Sequence, residues 1–290
     1  MSRRRAAGTG PSLAMAGAAA RATAAATADA GRTHRPTDPP AILSGLEAGT
    51  IRAATPDPAA PGGWRADPAV RAAILGRFAD RTSAESSAGP LRFRDRAGVP
   101  LHPLGDPAVR VVPGGTSVRS GVHLAPGVVI MPPSFINIGA WIGHDAMIDS
   151  HVVIGSCAQV GARVHLAAGV ILGGVLEPPG AWPVIVEDDA FVGAGSCLLE
   201  GVLVGAGAVI AAGVTLTGTS RLYDLVGERV LGGTADTPLS VPPRAVVVPG
   251  VRRLQGSFAQ GHGLGVAAAL LVKYRDAGTD ARVAQEDVLR

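Results

Sequence analysis

The sequence predicts a mainly β protein whose central part is a parallel β-helix. From Val112 to Leu172 every sixth residue is Val, Ile or Leu, and the same period resumes from Val186 to Leu216. Neither the helix period nor plain strand alternation produces a strict period of six over such a length. Hexapeptide repeats of this kind build triangular coils with three short strands each. The repeats fill about five to six coils, which corresponds to a prism roughly 25–30 Å long.

Many inward aliphatic residues are followed by glycine, for example at Gly143, Gly155 and Gly161. Glycine tolerates the close backbone approach that a tight corner requires. In one repeat this slot is occupied by Asp149. Departures from a regular repeat tend to mark function, although an Asx turn at a corner would equally explain an aspartate there.

The segments that flank the prism differ from it in composition. The N-terminal residues are rich in Ala, Gly, Thr and Arg, and we expect them to be disordered. Asp67 is expected to cap a helix that begins at Pro68, and Gly265–Lys273 is expected to be a strand packed back on the prism. The predicted division is a disordered extension at 1–36, a helical N-terminal domain and polar connector at 37–108, the β-helix at 109–250 and a C-terminal extension at 251–290, with a short helix at 285–290.

One loop interrupts the repeats between Gly173 and Ile185. A loop expelled from an otherwise regular solenoid is usually functional. Trp182 in this loop and Trp141 in the prism either line a pocket or cover the prism surface.

Composition excludes several function classes. The formal net charge is +3, and arginine supplies nearly all the cations because Lys273 is the only lysine. There is no basic stripe with interleaved aromatic residues, so nucleic-acid binding is not expected. No apolar run reaches membrane-spanning length, and Cys157 and Cys197 suit a reducing compartment. We therefore expect a cytoplasmic protein; Arg3–Arg5 suggests an export signal, but the following stretch is too weakly apolar.

The ionisable residues of the prism offer several possible sites. Four histidines lie at different offsets within their repeats, so we expect no shared zinc ion. The histidines are His123, His144, His151 and His165, and His151 lies two residues after Asp149. Arginines can clamp carboxylates through paired hydrogen bonds, or they can simply be solvated at the surface. The candidates are Arg110, Arg119, Arg163 and Arg221.

Several short motifs resemble those of the tetrahydrodipicolinate N-succinyltransferases, and the resemblance covers about residues 38–290. The interrupting loop, which begins Gly173-Gly-Val-Leu-Glu-Pro178, carries the most distinctive motif. The others are Arg110-Val-Val-Pro-Gly114, Met131-Pro-Pro-Ser, Asn137-Ile-Gly-Ala, Met147-Ile-Asp149, Gly155-Ser-Cys-Ala-Gln159 and Val164-His-Leu.

The resemblance implies a homotrimer of left-handed β-helices without a permanently bound cofactor. It implies succinyl transfer from succinyl-CoA, a co-substrate, to the amine of ring-opened tetrahydrodipicolinate in lysine and diaminopimelate biosynthesis. Arg110 corresponds to the family arginine that binds substrate, and Asp149 to the aspartate at the acceptor amine. Arg119 and Arg221 lie in matching regions and are further candidates. A positioned carboxylate can accept the proton that the attacking amine loses.

Two departures from the family pattern lie near the expected site. The family commonly has Gly-Ala-Arg-Ser-Glu where this chain has Gly193-Ala-Gly-Ser-Cys197, and it commonly has Trp where this chain has His151. Either His151 has become the catalytic base, or the acceptor has changed. Two further alternatives stay open: acetyl-CoA as the donor, and a noncatalytic prism that acts as a binding subunit.

Overall fold

A computed structural model of the chain describes residues 39–176, 182–234 and 237–279. Glu177 within the interrupting loop, the N-terminal extension and the predicted helix at 285–290 lie outside the described residues. The helices are α1 (Pro39–Glu47), α2 (Pro68–Ala79) and α3 (Ser257–Gly261), and a 3₁₀ turn covers Pro61–Gly63. No helix in these described ranges is long and apolar enough to span a membrane.

The strands are short and, within the prism, nearly all two residues long. Four precede the prism: β1 (Ala54–Pro56), β2 (Trp64–Ala66), β3 (Ser83–Ala88) and β4 (Leu91–Arg96). The prism strands are β5 (Arg110–Val111), β6 (Ser117–Val118), β7 (His123–Leu124), β8 (Val129–Ile130), β9 (Phe135–Ile136), β10 (Trp141–Ile142), β11 (Met147–Ile148), β12 (Val153–Ile154), β13 (Gln159–Val160), β14 (His165–Leu166), β15 (Ile171–Leu172), β16 (Ile185–Val186), β17 (Phe191–Val192), β18 (Cys197–Leu198), β19 (Leu203–Val204), β20 (Val209–Ile210) and β21 (Thr215–Leu216). The C-terminal strands are β22 (Arg221–Asp224), β23 (Arg229–Gly232), β24 (Ser240–Val241), β25 (Ala245–Arg253) and β26 (Gly265–Tyr274).

The prism strands stack in parallel into three faces, as the period of six predicts. The first face runs from β5 through β8, β11, β14, β17 and β20 to β25; the second runs from β6 to β21 and the third from β7 to β24. Each coil contributes one strand to each face. The fold is therefore the parallel β-helix that the sequence predicts.

The predicted register of the first repeat is wrong by one residue. Val111, and not Val112, is paired with Ile130 in the next coil, while Val118 of the next repeat is aligned with Ile136 as expected. The first corner is therefore one residue longer than the later ones. A purely sequence-based period cannot detect this, because residues 111 and 112 are both valine.

One aliphatic side chain per repeat fills the interior of the prism. Ile130, Ile148, Leu166 and Ile210 on the first face are all fully buried. Burying a side chain of this size contributes about 1.5–3 kcal/mol relative to an exposed one. This continuous column makes the prism rigid enough to hold outward side chains at fixed heights.

The N-terminal helices cover part of the prism. Asp67 accepts hydrogen bonds from the backbone N–H groups of Ala69 and Val70, so it caps α2 as the sequence predicts. Ile74 of α2 joins a core cluster that includes Ile138 and Cys157 of the prism. Pairing between β1 and β2 extends this cap.

A hairpin lies within the region interpreted from the sequence as a polar connector. Strands β3 and β4 pair antiparallel from Ser83↔Arg96 to Ala88↔Leu91. Every residue of β3 is exposed, and Leu91 and Phe93 of β4 are exposed as well, so the hairpin buries no apolar face within one chain. At the other end of the chain, β26 pairs antiparallel with β25, as predicted for Gly265–Lys273.

Candidate active site

The corner between the first and second faces carries Asp149 in the third coil. Asp149 directly follows the inward Ile148 of β11, so its side chain points outward. Its backbone N–H donates to the carbonyl of Leu166 in the coil above (2.9 Å). Its Oδ1 accepts from the N–H of Ser150 (2.7 Å). Oδ2 has no hydrogen-bond partner among the described residues, which leaves it available to a substrate.

A buried hydroxyl holds this corner in place. The Oγ of Ser134 lies 2.9 Å from the carbonyl oxygen of Asp149 and 2.9 Å from that of Met131. It also accepts from the N–H of Val152 at 3.2 Å. Ser134 therefore joins two successive coils directly beneath Asp149.

His151 occupies the tip of the same corner. Its φ is +62°, a left-handed conformation that costs about 1–2 kcal/mol for a residue other than glycine. Its N–H donates to the carbonyl of Pro133 in the coil below (2.8 Å), and its side chain is exposed. The structure therefore brings Asp149 and His151, two predicted site residues, to one corner.

The corner above Asp149 carries no side chain larger than a methyl group. In the next three coils, the residues equivalent to 149–151 are 167–169, 193–195 and 211–213, and all of them are alanine or glycine. The backbone aligns them, because Gly169, Gly195 and Gly213 each donate to a carbonyl of the coil below at 2.9 Å. We call these nine residues the open corner. Its uppermost residues lie about 14 Å above Asp149, three strand spacings along the prism.

Arg110 lies on the first face below Asp149. It is the exposed first residue of β5, and β5 lies two strands below β11 through β8. Two strand spacings place the levels of Arg110 and Asp149 about 10 Å apart. The structure thus brings the two residues that the resemblance matched to substrate binding to one side of the prism.

Arg221 lies at the opposite end of the prism from Arg110. It begins β22 and lines a cleft of about 350 Å³ together with Arg252, Tyr223 and Thr215. Thr215 follows the last residues of the open corner, so the cleft continues that corner. Arg221 therefore cannot bind the same small molecule as Arg110 in one chain.

Arg119 is held on the second face. Its Nη2 donates to Asp95 of the β3–β4 hairpin at 2.7 Å, and its guanidinium lies 5.4 Å from the ring of Phe78. Within one chain this places Arg119 among residues of the N-terminal cap and not beside Asp149.

Cys197 lies on the second face, two coils above Asp149. It is the half-buried first residue of β18, in line with Val153 and Ile171 on the strands below. The neighbouring Ser196 repeats the arrangement of Ser134, because its buried Oγ donates to the carbonyl of Ala211 at 3.0 Å.

The four histidines lie in four different places. His123 stacks on Trp141 on the third face, with ring centroids 4.0 Å apart, and burial lowers its pKa. His144 pairs with Asp145 at 2.8 Å, and His165 contacts the edge of Phe191. Among the described residues no three His, Cys, Asp or Glu side chains are grouped so that they could hold a metal ion.

Sequence reasoning missed the role of Ser134 and the open corner. Ser134 ends the Met131-Pro-Pro-Ser motif, but the motif does not indicate its contact with Asp149, because only the stacking of coils brings the two residues together. The open corner did have a signal: Ala-Gly pairs at Ala168-Gly169, Ala194-Gly195 and Ala212-Gly213 occupy equivalent positions in three successive coils.

The fold and these features define a hexapeptide-repeat protein with a candidate transferase site at one corner. A protein-family profile described as "Hexapeptide repeat of succinyl-transferase" matches residues 183–218. The chain is 38% identical over 254 residues to a 2,3,4,5-tetrahydropyridine-2,6-dicarboxylate N-succinyltransferase of Acinetobacter baylyi, covering 86% of this chain and 87% of that one. A protein with the same description from Dechloromonas aromatica is 36% identical, covering 86% and 88%.

The chain therefore belongs to the family of tetrahydropyridine-2,6-dicarboxylate N-succinyltransferases, as its motifs predict. A solved structure from Campylobacter jejuni, described as a candidate 2,3,4,5-tetrahydropyridine-2-carboxylate N-succinyltransferase, matches with 16% identity and a TM-score of 0.42, covering 84% of this chain and 62% of that one.

Proposed function

We propose that this chain transfers the succinyl group of succinyl-CoA to the amine of ring-opened tetrahydrodipicolinate, a step of lysine and diaminopimelate biosynthesis. The amine nitrogen attacks the thioester carbonyl carbon, the C–N bond forms, the C–S bond breaks and CoA leaves as the thiolate. The proton lost by the amine goes to Asp149 and can then pass to the thiolate sulfur.

The observation that carries this proposal is the free Oδ2 of Asp149 beside the open corner. A carboxylate held by a fixed backbone can orient an amine and accept its proton. Directly above it, the backbone N–H of Ala168 has no acceptor among the described residues, and the N–H of Ala194 is in the same position one coil higher. Such N–H groups can stabilise the oxyanion that forms when the amine attacks.

Arg110 is placed to bind the acceptor carboxylate that lies farthest from the reacting amine. Ring-opened tetrahydrodipicolinate carries two carboxylates, and arginine binds carboxylates through two parallel hydrogen bonds. The separation of about 10 Å between the levels of Arg110 and Asp149 fits an extended molecule with a carboxylate at one end and the amine near the other. The role of Arg110 would be to position the amine.

The open corner suits the flexible arm of CoA. It offers no side chain larger than a methyl group, and it leads to the cleft that contains Arg221 and Arg252. Arginines are well suited to phosphate groups, so we assign the phosphates of CoA to this cleft and the thioester to Asp149. Binding of both substrates in fixed geometry would supply much of the rate acceleration.

We also propose that the chain acts as a homotrimer. Val153 and Ile171 form a stripe on the second face beside the Asp149 corner, and their exposed fractions are 37% and 38%. Such a stripe beside a shallow site suits a second copy that would complete the site. Light scattering of the purified protein tests this, and a monomer at working concentration would contradict it.

A second candidate retains the reaction but changes the donor or the acceptor. The two departures from the family pattern favour it: His151 lies at the same corner as Asp149, and Cys197 lies two coils higher on the second face. In that case acetyl-CoA or another amine would be the better substrate, and His151 would be the base.

The test is thiol release from purified protein with tetrahydrodipicolinate and either succinyl-CoA or acetyl-CoA. We expect release with succinyl-CoA, and a loss of about 10²–10⁴-fold in kcat for Asp149→Asn. Asp145→Asn, on the same coil but at a different corner, is the matched control and should keep activity. Full activity in Asp149→Asn together with loss in His151→Gln would transfer the role of base to His151.

A further inference from the structure

A second cavity lies on the third face, between the N-terminal cap and the prism. Its volume is about 540 Å³, within the range of small-molecule sites. Its lining includes Arg52, Trp64, Trp141, His144, Glu187 and Asp188. In a triangular prism the third face lies opposite the corner between the first and second faces, so within this chain the cavity is away from Asp149.

Arg52 is held rigidly in this cavity. Its guanidinium carbon lies 4.0 Å from the ring centroid of Trp141 and 5.4 Å from that of Trp64. Its Nε donates to Oε1 of Gln159 at 3.0 Å. The Gln159 side chain is itself fixed, because it is buried and donates to the carbonyl of Cys157 at 2.8 Å.

The two outer nitrogens of Arg52 remain for a ligand. Among the described residues, the bond from Nε to Gln159 is the one hydrogen bond of its guanidinium. Burial lowers the pKa of Arg52 to about 10, and the negative charge of Asp188 offsets only part of this effect, as expected for a cation that has lost part of its hydration. A planar guanidinium held between two aromatic rings is preorganised to donate two parallel hydrogen bonds to a carboxylate.

Acidic groups lie in the same cavity. Both oxygens of Glu187 already accept hydrogen bonds, from Nε1 of Trp64 at 2.8 Å and from the N–H of Ala206 at 3.0 Å. Asp188 accepts from the N–H of Ala162 through Oδ1. Its Oδ2 lies 3.9 Å from Nη2 of Arg163, a long contact at the surface, and its side chain is 57% exposed. These two carboxylates disfavour a ligand with several negative charges and favour one that also carries a positive charge.

We infer that this cavity binds a free α-amino acid, with the ligand's carboxylate on Arg52 and its ammonium group beside Asp188. A zwitterion satisfies both kinds of charge in the cavity at once. The cavity volume of about 540 Å³ is large enough for any of the common amino acids. The buried Gln159, whose sequence motif has no role in acyl transfer as proposed above, then acts as the positioning residue for Arg52.

The test is equilibrium binding without acyl-CoA, so that its outcome does not depend on turnover. The chain has three tryptophans; replacing Trp182 by Phe leaves the two that line the cavity as fluorescent reporters. We expect a saturable change with alanine and with lysine. Alanine amide lacks the carboxylate and N-acetylalanine lacks the ammonium group, and both should bind at least about tenfold more weakly.

Variants identify the site. Arg52→Gln should weaken alanine binding by about tenfold or more, and Arg52→Lys, which keeps the charge but not the planar guanidinium, provides a second variant if the first does not fold. Arg65→Gln is the control, because Arg65 is an exposed arginine of the same cap that pairs with Asp57. The proposal is overturned if no amino acid gives a saturable signal, if Arg52→Lys binds alanine as tightly as the parent, or if N-acetylalanine binds as tightly as alanine.

Discussion

Removal of the Ser134 hydroxyl should damage both stability and catalysis. In Ser134→Ala, the carbonyl of Asp149 loses a hydrogen-bond donor and the N–H of Val152 loses its acceptor. Val152 is fully buried, so water cannot readily replace the lost bond. Leaving buried polar groups unpaired costs about 1–3 kcal/mol. For a chain of this size the melting temperature should fall by roughly 2–4 °C for each kcal/mol.

Ser196→Ala is the matched control for this prediction. Its Oγ donates to the carbonyl of Ala211 at 3.0 Å and accepts from the N–H of Val214 at 3.3 Å, so the same chemistry is removed three coils higher. The loss in the free energy of unfolding should be similar. Thermal unfolding of both variants at one fixed protein concentration measures it, since association makes the melting temperature concentration-dependent.

Catalysis should separate the two variants. Ser134 touches the backbone of Asp149, and small displacements of a catalytic group cost up to about 10²-fold in rate. Ser134→Ala should therefore lower kcat by about tenfold or more with little change in KM, whereas Ser196→Ala should leave kcat near the parent value. Equal losses of kcat in the two variants would refute the reasoning that Ser134 positions Asp149.

Three further predictions concern the cap and the coils. Gly155→Ala should prevent correct stacking of the coils, because a Cβ at this position would lie 2.2 Å from the backbone nitrogen of Gly174. Circular dichroism and solubility measure the outcome, and a soluble variant with a native-like spectrum would contradict the prediction. Burial lowers the pKa of His123, so the folded state binds fewer protons than the unfolded chain. The free energy of unfolding should therefore fall as the pH drops below about 6.5. Melting temperatures across this range should depend less on pH in His123→Gln than in the parent. Burial raises the pKa of Cys157 to about 12, so a maleimide should label the half-buried Cys197 first, and retention of fast labelling in Cys197→Ser would contradict this.

The fold was predictable because the repeat is local. Each inward aliphatic residue is defined by its distance along the chain from the previous one, and one period describes the whole column. Asp149 stands out for the same reason, as a carboxylate in a slot that other repeats fill with glycine, and its catalytic role stays a prediction. The period failed only where the chain offers two valines side by side, at Val111 and Val112.

Side-chain partners were not predictable because they are non-local. Arg52 and Gln159 are 107 positions apart, and nothing in the local sequence of either residue indicates the other. Arg119 shows the same limit, since its partner Asp95 lies 24 positions earlier in the chain. The spacing of inward residues fixes the height and face of a side chain, but it does not indicate which other segment covers that face.

The contrast between two corners of the prism supports an access role for the open corner. At the corner between the third and first faces, the left-handed position is occupied by Asp145, Arg163 and Asp189, with φ between 56° and 61°. Arg163 binds Asp189 there through Nε at 2.7 Å. The fold therefore tolerates long side chains at a left-handed corner, at a cost of about 1–2 kcal/mol each.

Backbone conformation alone therefore does not explain why the open corner lacks side chains. A Cβ added at Gly195 or Gly213 would meet nothing within 4 Å, so space does not exclude a side chain either. What distinguishes this corner is its position between the carboxylate of Asp149 and the arginine cleft. A long ligand with a reactive group at one end and phosphates at the other needs a path without side chains between them, and this corner provides it.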